Sequence, residues 1–280
     1  MKVTLIEPRG FCNGVQNALE ILDKAVASGQ KIYVLNEIVH NKTIITDYQK
    51  KGVSFVPDII AVPENGTVVF SAHGVSPAVR RQAAARQLKI IDATCPLVEK
   101  VHAEAIEFAK HNIHIIYIGH KKHEEAIGVY GETPENITII ENAKDLPLIP
   151  PDKKQYAVLT QTTLNVIETA RLIVELKKTF PQLIEPDKKD ICYATTVRQE
   201  AVQKAASTVE AIIIIGSGNS SNSVRLKEAA EAAGAKAYLV DNYRELPVEI
   251  KKYQSVGITS GASAPEYLVQ ECLQYLCSLT

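Results

Sequence analysis

The stretch PRGFCNGVQNALEIL, residues 8–22, places Cys12 between a short apolar strand (VTLIE, 3–7) and a helix. Val15, Leu19, Leu22 and Val26 recur at three- and four-residue steps, the period of one helical face. The turn between strand and helix carries Gly10 and Gly14. A thiol at the mouth of a helix is an odd place for a core filler, and the arrangement recurs. Cys95 and Cys192 also follow an apolar or mixed strand, and each precedes an amphipathic pattern, LVEKVHAEAIEFAK (97–110) and TTVRQEAVQKAA (195–206).

The three copies stay in step. Each helix leads to a strand that ends in a polar loop: YVLNEIVHN (33–41), IIYIGHKKHEE (115–125) and IIIIGSGNSSNS (212–223). Cys12 to His40, Cys95 to His123 and Cys192 to Ser220 each span 28 residues. Two further strands follow in each copy, the last running into VVFSAHGVSP (68–77), AVLTQTTLN (157–165) or VGITSGASAP (256–265). These loops bring in His73, Thr162 with Thr163, and Ser263, each ahead of another helix; Ser76 before Pro77 and Ser263 before Pro265 have the pattern of helix caps.

This periodicity predicts an α/β protein of three αβα units with largely parallel sheets, of about 90 residues each. No Gly/Ser linker separates them, and the Pro-rich LPLIPPDKK (146–154) reads as a surface loop inside the second. In such sheets ligands bind beyond the carboxyl ends of the strands, where all three cysteines and the polar loops fall. Packing about a pseudo-threefold axis, a trefoil, would aim three thiols at one centre.

Composition narrows the function. The chain has 280 residues, 46% of them apolar, and a formal charge of −1, so no basic field supports nucleic-acid binding. An acid by position seven and no apolar leader argue against a signal peptide. The longest apolar runs, such as AIIIIG (211–216), are strand-length, so no membrane segment is expected. Five cysteines without a secreted-framework spacing point to reduced thiols in a cytoplasm.

A helix N-terminus favours a thiolate, and three thiolates together repel one another unless a metal joins them. Structural zinc prefers four ligands, usually with CxxC pairs, and no CxxC occurs. Iron–sulfur clusters take four cysteines, so three would leave one iron open as a Lewis acid. Cys272 and Cys277, on YLVQECLQYLCSL (267–279), read instead as core, with Leu268 and Leu276 on the same stripe. His102 and His111 read as solvated or core histidines.

GSGNSSNS (216–223) has the character of a phosphate cradle at a helix start, but it lacks the GKS/T of a P-loop and carries Ser221 where GxGxxG needs glycine. In HKKHEEAIG (120–128), Glu124 and Glu125 are both placed to act as a general acid beside His123. Lys121 and Lys122 equally allow a solvated charge cluster there.

Together these blocks resemble the LytB family of 4-hydroxy-3-methylbut-2-enyl diphosphate reductases. The resemblance runs through PRGFCNGV, EIVHN, FSAHGVS, DATCPLVEKVH, GHKKHEEAIG, TQTTL, DICYATTVRQEAV, GSGNSSNSVRL and TSGASAPE. It implies a trefoil of αβα units, 13–95, 96–190 and 191–280 joined by 1–12, around a central [4Fe-4S] cluster held by Cys12, Cys95 and Cys192. The activity implied removes an allylic hydroxyl as water with two electrons and two protons, giving isopentenyl and dimethylallyl diphosphates, the last step of the non-mevalonate isoprenoid pathway. His40, His73, Ser220, Ser221, Asn222 and Ser263 would anchor the diphosphate. His123 would contact the substrate and help the proton relay, Thr162 would hold hydroxyl and acid in register, and Glu125 would supply the proton. Ferredoxin or flavodoxin would donate the electrons.

The sequence departs from the family where HPE is usual: His123-Glu124-Glu125 replaces the proline by a second acid, so Glu124 is a candidate to share the acid role. Residue 280 falls soon after the last expected helix, where many relatives carry a C-terminal tail. Two other classes compete, a phosphometabolite-binding protein without a cluster and a zinc hydrolase on the same thiols; both would be colourless.

Overall fold

A computed structural model describes residues 1–186 and 188–279. Strand pairing is parallel throughout the three sheets, as the repeat predicts. The chain divides into two compact units.

One unit comprises 1–16, 39–47 and 193–280. Its sheet is ordered β1 (Lys2–Leu5), β11 (Ser255–Ser260), β9 (Ala211–Ile215), β10 (Lys236–Val240). The run AIIII in β9 is apolar at every position because both faces of the sheet are covered. Ile213 and Ile215 pack with Leu268, Val269, Cys272 and Leu276 of α9 (Glu266–Ser278). Ile212 and Ile214, pointing the other way, pack with Val202 and Ala206 of α7 (Tyr193–Ala206) and Leu226 and Ala230 of α8 (Ser221–Ala232). All four isoleucines are fully buried, so truncating one to alanine would cost roughly 2–5 kcal/mol.

The other unit, 17–38 with 48–192, contains two sheets. The first is ordered β3 (Ser54–Val56), β2 (Ile32–Leu35), β4 (Thr67–Phe70), β5 (Lys89–Asp92). Val68 and Phe70 on one face of β4 share a core with Ala83 of α3 (Pro77–Ala85). The second sheet is ordered β7 (Ile137–Ile140), β6 (His114–Ile118), β8 (Tyr156–Thr160). Ile116 and Ile118 of β6 face Leu172 and Leu176 of α6 (Val166–Thr179). Ile115 and Tyr117 face Val101 and Ala105 of α4 (Pro96–Lys110) and Ala126 and Val129 of α5 (Glu124–Tyr130).

In every sheet the strand after the cysteine helix lies between the next two, and in two of the three a strand leading to a cysteine lies outside the third. That outer strand is β1 before Cys12 and β5 before Cys95. Before Cys192 the expected strand shrinks, among the described residues, to a single bridge, Ala157↔Ile184. The intervening Pro186, Lys188 and Lys189 lack the apolar alternation of a covered strand, and proline lacks a ladder donor.

Candidate active site

All three cysteines sit immediately ahead of a helix: Cys12 before α1 (Asn13–Ala27), Cys95 as the N-cap of α4, Cys192 before α7. Their backbones are fixed in one way. Cys12 N–H donates to Ala262 O (3.1 Å), Cys95 N–H to Ala72 O (3.0 Å) and Cys192 N–H to Thr162 O (3.0 Å). Each acceptor lies two residues past the end of β11, β4 or β8, so the threefold register extends into the hydrogen bonds. All three side chains are partly exposed and none is disulfide-bonded. Cys95 makes no capping bond with its sulfur. Gly10, at φ +73°, turns the chain between β1 and Cys12, a conformation that suits glycine. There, Gly10 N–H donates to Ser260 Oγ (2.8 Å), and the buried Arg198 donates to Gly10 O (2.8 Å) and Ser260 O (3.1 Å).

Cys272 lies in the core, as expected, and burial pushes its thiol up to about 12. Cys277 does not; it is exposed in the last turn of α9. His102 is mostly buried against Glu132 (2.7 Å), and His111 is exposed beside Glu107 (2.9 Å).

In the first unit the structure assembles His40, Ser220, Ser221, Asn222 and Ser263. Ser263 Oγ donates to His40 O (2.9 Å) and is not a cap; Pro265 occupies the cap position of α9. Asn222 Oδ1 accepts from Ala262 N–H (2.9 Å) and its amide donates to Thr195 Oγ1 (3.2 Å), tying the start of α8 to the Ser263 loop. Ser220 caps α8, its Oγ accepting from Ser223 N–H (3.4 Å), and Ser221 is the first helical residue. A Cβ on Gly216 or Gly261 would overlap Ser223 Oγ, which explains the glycines in GSGNSS and TSGAS. The 28-residue step is off by one in the first copy: Asn41, not His40, caps α2 (Lys42–Lys50), accepting from Ile44 N–H at 3.1 Å.

In the second unit the structure assembles His73, His123, Glu124, Glu125 and Thr162. His123 caps α5, its Nδ1 accepting from Glu125 N–H (3.2 Å); in the neutral ring this leaves the proton on Nε2, a donor. The His73 and His123 rings meet edge-on at 5.6 Å. His73 Nδ1 lies 3.1 Å from Glu124 Oε2 and 3.3 Å from Ser71 Oγ.

The two adjacent acids therefore differ in kind. Glu125 is 1% exposed, and it accepts from both Thr162 N–H (2.7 Å) and Thr162 Oγ1–H (3.0 Å). Burial pushes its carboxyl up to about 7, against the pull of the two Thr162 bonds, and the charge of Asp190 pushes the same way. Tyr117, fully buried beside it, has its phenol pushed well up by burial and by the Glu125 charge.

Several supporting residues had no individual signal in the sequence. Gln161, fully buried, accepts from His120 N–H (3.0 Å) and donates to Thr163 Oγ1 (3.1 Å), joining two site loops. Asp190 accepts from Thr160 N–H (2.8 Å) and from Lys100 Nζ (2.8 Å). The one available hint was the acid shortly before cysteine in both DATC (92–95) and DICY (190–193). Nor is α7 amphipathic in the expected way: its buried stripe is Thr195, Arg198, Gln199, Val202 and Ala206, and its polar members include Thr195, which accepts from Asn222, and Arg198, which donates to Gly10 O and Ser260 O.

Comparison with known proteins agrees with this architecture. The family model described as LytB protein matches residues 3–277. The 4-hydroxy-3-methylbut-2-enyl diphosphate reductase of Rhodopirellula baltica is 47% identical, over 99% of this chain and 88% of its own. That of Nocardia farcinica is 49% identical, over 98% and 83%. The solved E-1-hydroxy-2-methyl-but-2-enyl-4-diphosphate reductase of Plasmodium falciparum superposes with a TM-score of 0.95 at 38% identity, covering 98% of this chain and 87% of its own. A second solved structure, an (E)-4-hydroxy-3-methyl-but-2-enyl diphosphate reductase described as the terminal enzyme of the non-mevalonate pathway, gives 0.71 at 28% identity over 99% and 100%. With a family model spanning nearly its whole length and relatives close to half identical, the chain belongs to the LytB family.

Proposed function

We propose that this chain reduces 4-hydroxy-3-methylbut-2-enyl diphosphate to isopentenyl and dimethylallyl diphosphates, the last step of the non-mevalonate pathway, using a [4Fe-4S] cluster held by Cys12, Cys95 and Cys192. The donor set fits that group: three thiols at helix N-termini, each with its backbone fixed to a strand-end loop, and the remaining two cysteines in the core and on an exposed helix end. When bound, the cluster would supply electrons and, at the iron without a protein thiolate, a Lewis acid.

The observation that carries the reading is the Glu125–Thr162 pair. Breaking the allylic C–O bond with two electrons requires two protons, one to the departing oxygen, which leaves as water, and one to carbon. A carboxyl pushed up to about 7 retains a proton at neutral pH and still yields it readily. Thr162 fixes that carboxyl by two bonds, and its hydroxyl is available to the substrate's own. His123 offers an Nε2 donor for substrate contact and proton relay. A diphosphate leaving water needs several charge-assisted hydrogen bonds, the role assigned to His40, His73, Ser220, Ser221, Asn222 and Ser263.

The three αβα units run 13–95, 96–190 and 191–280 with 1–12. Among the described residues no helix is long and apolar enough to cross a membrane, and the reading places the enzyme in the cytoplasm with ferredoxin or flavodoxin as electron donor. Anaerobic incubation of the reconstituted chain with the substrate and reduced viologen tests the reading. Formation of both C5 diphosphates is the expected result, and unchanged substrate overturns it.

A further inference from the structure

Two of the three cysteines are delivered by strands. β1 pairs along β11 up to Leu5↔Ile258, and β5 pairs along β4 up to Phe70↔Asp92, with Ala93 N–H still bonded to Phe70 O (3.1 Å) before Cys95 is reached. Among the described residues Cys192 has no such rail. After the bridge at Ile184 the chain takes no ladder position among the described residues, yet its backbone arrives at Thr162 O with the same 3.0 Å bond that Cys95 makes to Ala72.

One side chain occupies the gap. The Asp190 carboxylate is wholly buried. Its Oδ2 accepts from Thr160 N–H, at the end of β8, where an outer strand would offer a backbone carbonyl (2.8 Å). Its Oδ1 takes Lys100 Nζ from α4, the helix begun by Cys95 (2.8 Å). The same ammonium donates to Lys188 O (2.8 Å) and to Glu104 Oε2 (2.9 Å), so it holds the approaching chain at two points. Removing Lys100 leaves the buried Asp190 carboxylate without its counter-charge, whereas removing Asp190 leaves Lys100 with Glu104 but frees Thr160 N–H of its acceptor.

We propose that the Lys100–Asp190 pair is a positioning device for the Cys192 thiol, standing in for the missing strand and setting the loop before any cluster is bound. Its consequence for cluster retention rests on the proposed function; its effect on the thiol does not.

The test uses D190A, K100M and K100R in the full chain, with E104Q as a control. In the iron-free chain, the alkylation rate of each cysteine is read by peptide mass spectrometry. D190A and K100M should speed alkylation of Cys192 about tenfold or more, leave Cys12 and Cys95 within about twofold, and be largely rescued in K100R. In the loaded chain, visible absorption should decay faster with chelator in the same variants. Equal acceleration at all three cysteines, or none at Cys192, overturns the proposal; should D190A fail to fold, K100M decides. A wild-type chain that takes up no cluster while Cys192 still responds would sink the functional reading and leave the clamp standing.

Discussion

Thr162 donates twice to Glu125, from its backbone amide at 2.7 Å and from its hydroxyl at 3.0 Å, and so holds a buried carboxyl by both oxygens. The neighbouring Glu124 takes a different partner, His73, and is more exposed. Two consecutive acids are thereby given separate surroundings, one buried against Thr162 and one beside a histidine.

Glu125→Gln preserves the shape and a side-chain oxygen to accept from Thr162 N–H but cannot release a proton. Turnover should fall by about 100- to 10,000-fold, with iron content and substrate KM nearly unchanged. Near-normal turnover would shift the acid role to Glu124.

The pH dependence follows from the same group. Its folded value of about 7 lies above the ordinary 4.5, so the protonated donor is depleted, and the proton-dependent rate declines, as pH rises through 7. The stability sign agrees: a raised carboxyl contributes its full stability below 4.5 and loses it as pH climbs through 7. Glu125→Gln should therefore gain in Tm relative to the parent between pH 5 and pH 8. Because the Thr162 hydroxyl bond lowers the carboxyl, Thr162→Val should move the falling limb of the rate profile to higher pH. A profile unchanged in both variants would contradict this assignment.

Ser263 gives its hydroxyl to the His40 carbonyl, so its loss touches the loop proposed to anchor the diphosphate rather than the acid. Ser263→Ala should raise KM roughly fivefold, the worth of about one hydrogen bond, with kcat little changed. A pure kcat defect would count against the anchor role.

Much of this was legible because periodicity survives in sequence. Strands such as AIIII and the three cysteine helices are local patterns, and the 28-residue step carried His123 and Ser220 to equivalent helix caps. It failed where geometry is set by a neighbour instead. His40 stands one residue ahead of the cap because Asn41 takes it, and Ser263 turns to the His40 carbonyl while Pro265 takes the cap position of α9. Asp190 and Arg198 were invisible because their partners, Lys100 and Gly10, are 90 and 188 residues away. Pattern alone left this acidic pair even between a general acid and a solvated charge cluster, with register favouring Glu125; in the structure Glu125 is the one buried against Thr162.

The central claim is that Cys12, Cys95 and Cys192 hold one cluster. Iron and acid-labile sulfide per chain after strictly anaerobic purification, read with the visible spectrum, test it most directly. About four of each with broad brown absorption is the result expected of a [4Fe-4S] centre, and Cys95→Ser should lose it. A colourless chain that resists reconstitution would contradict the account.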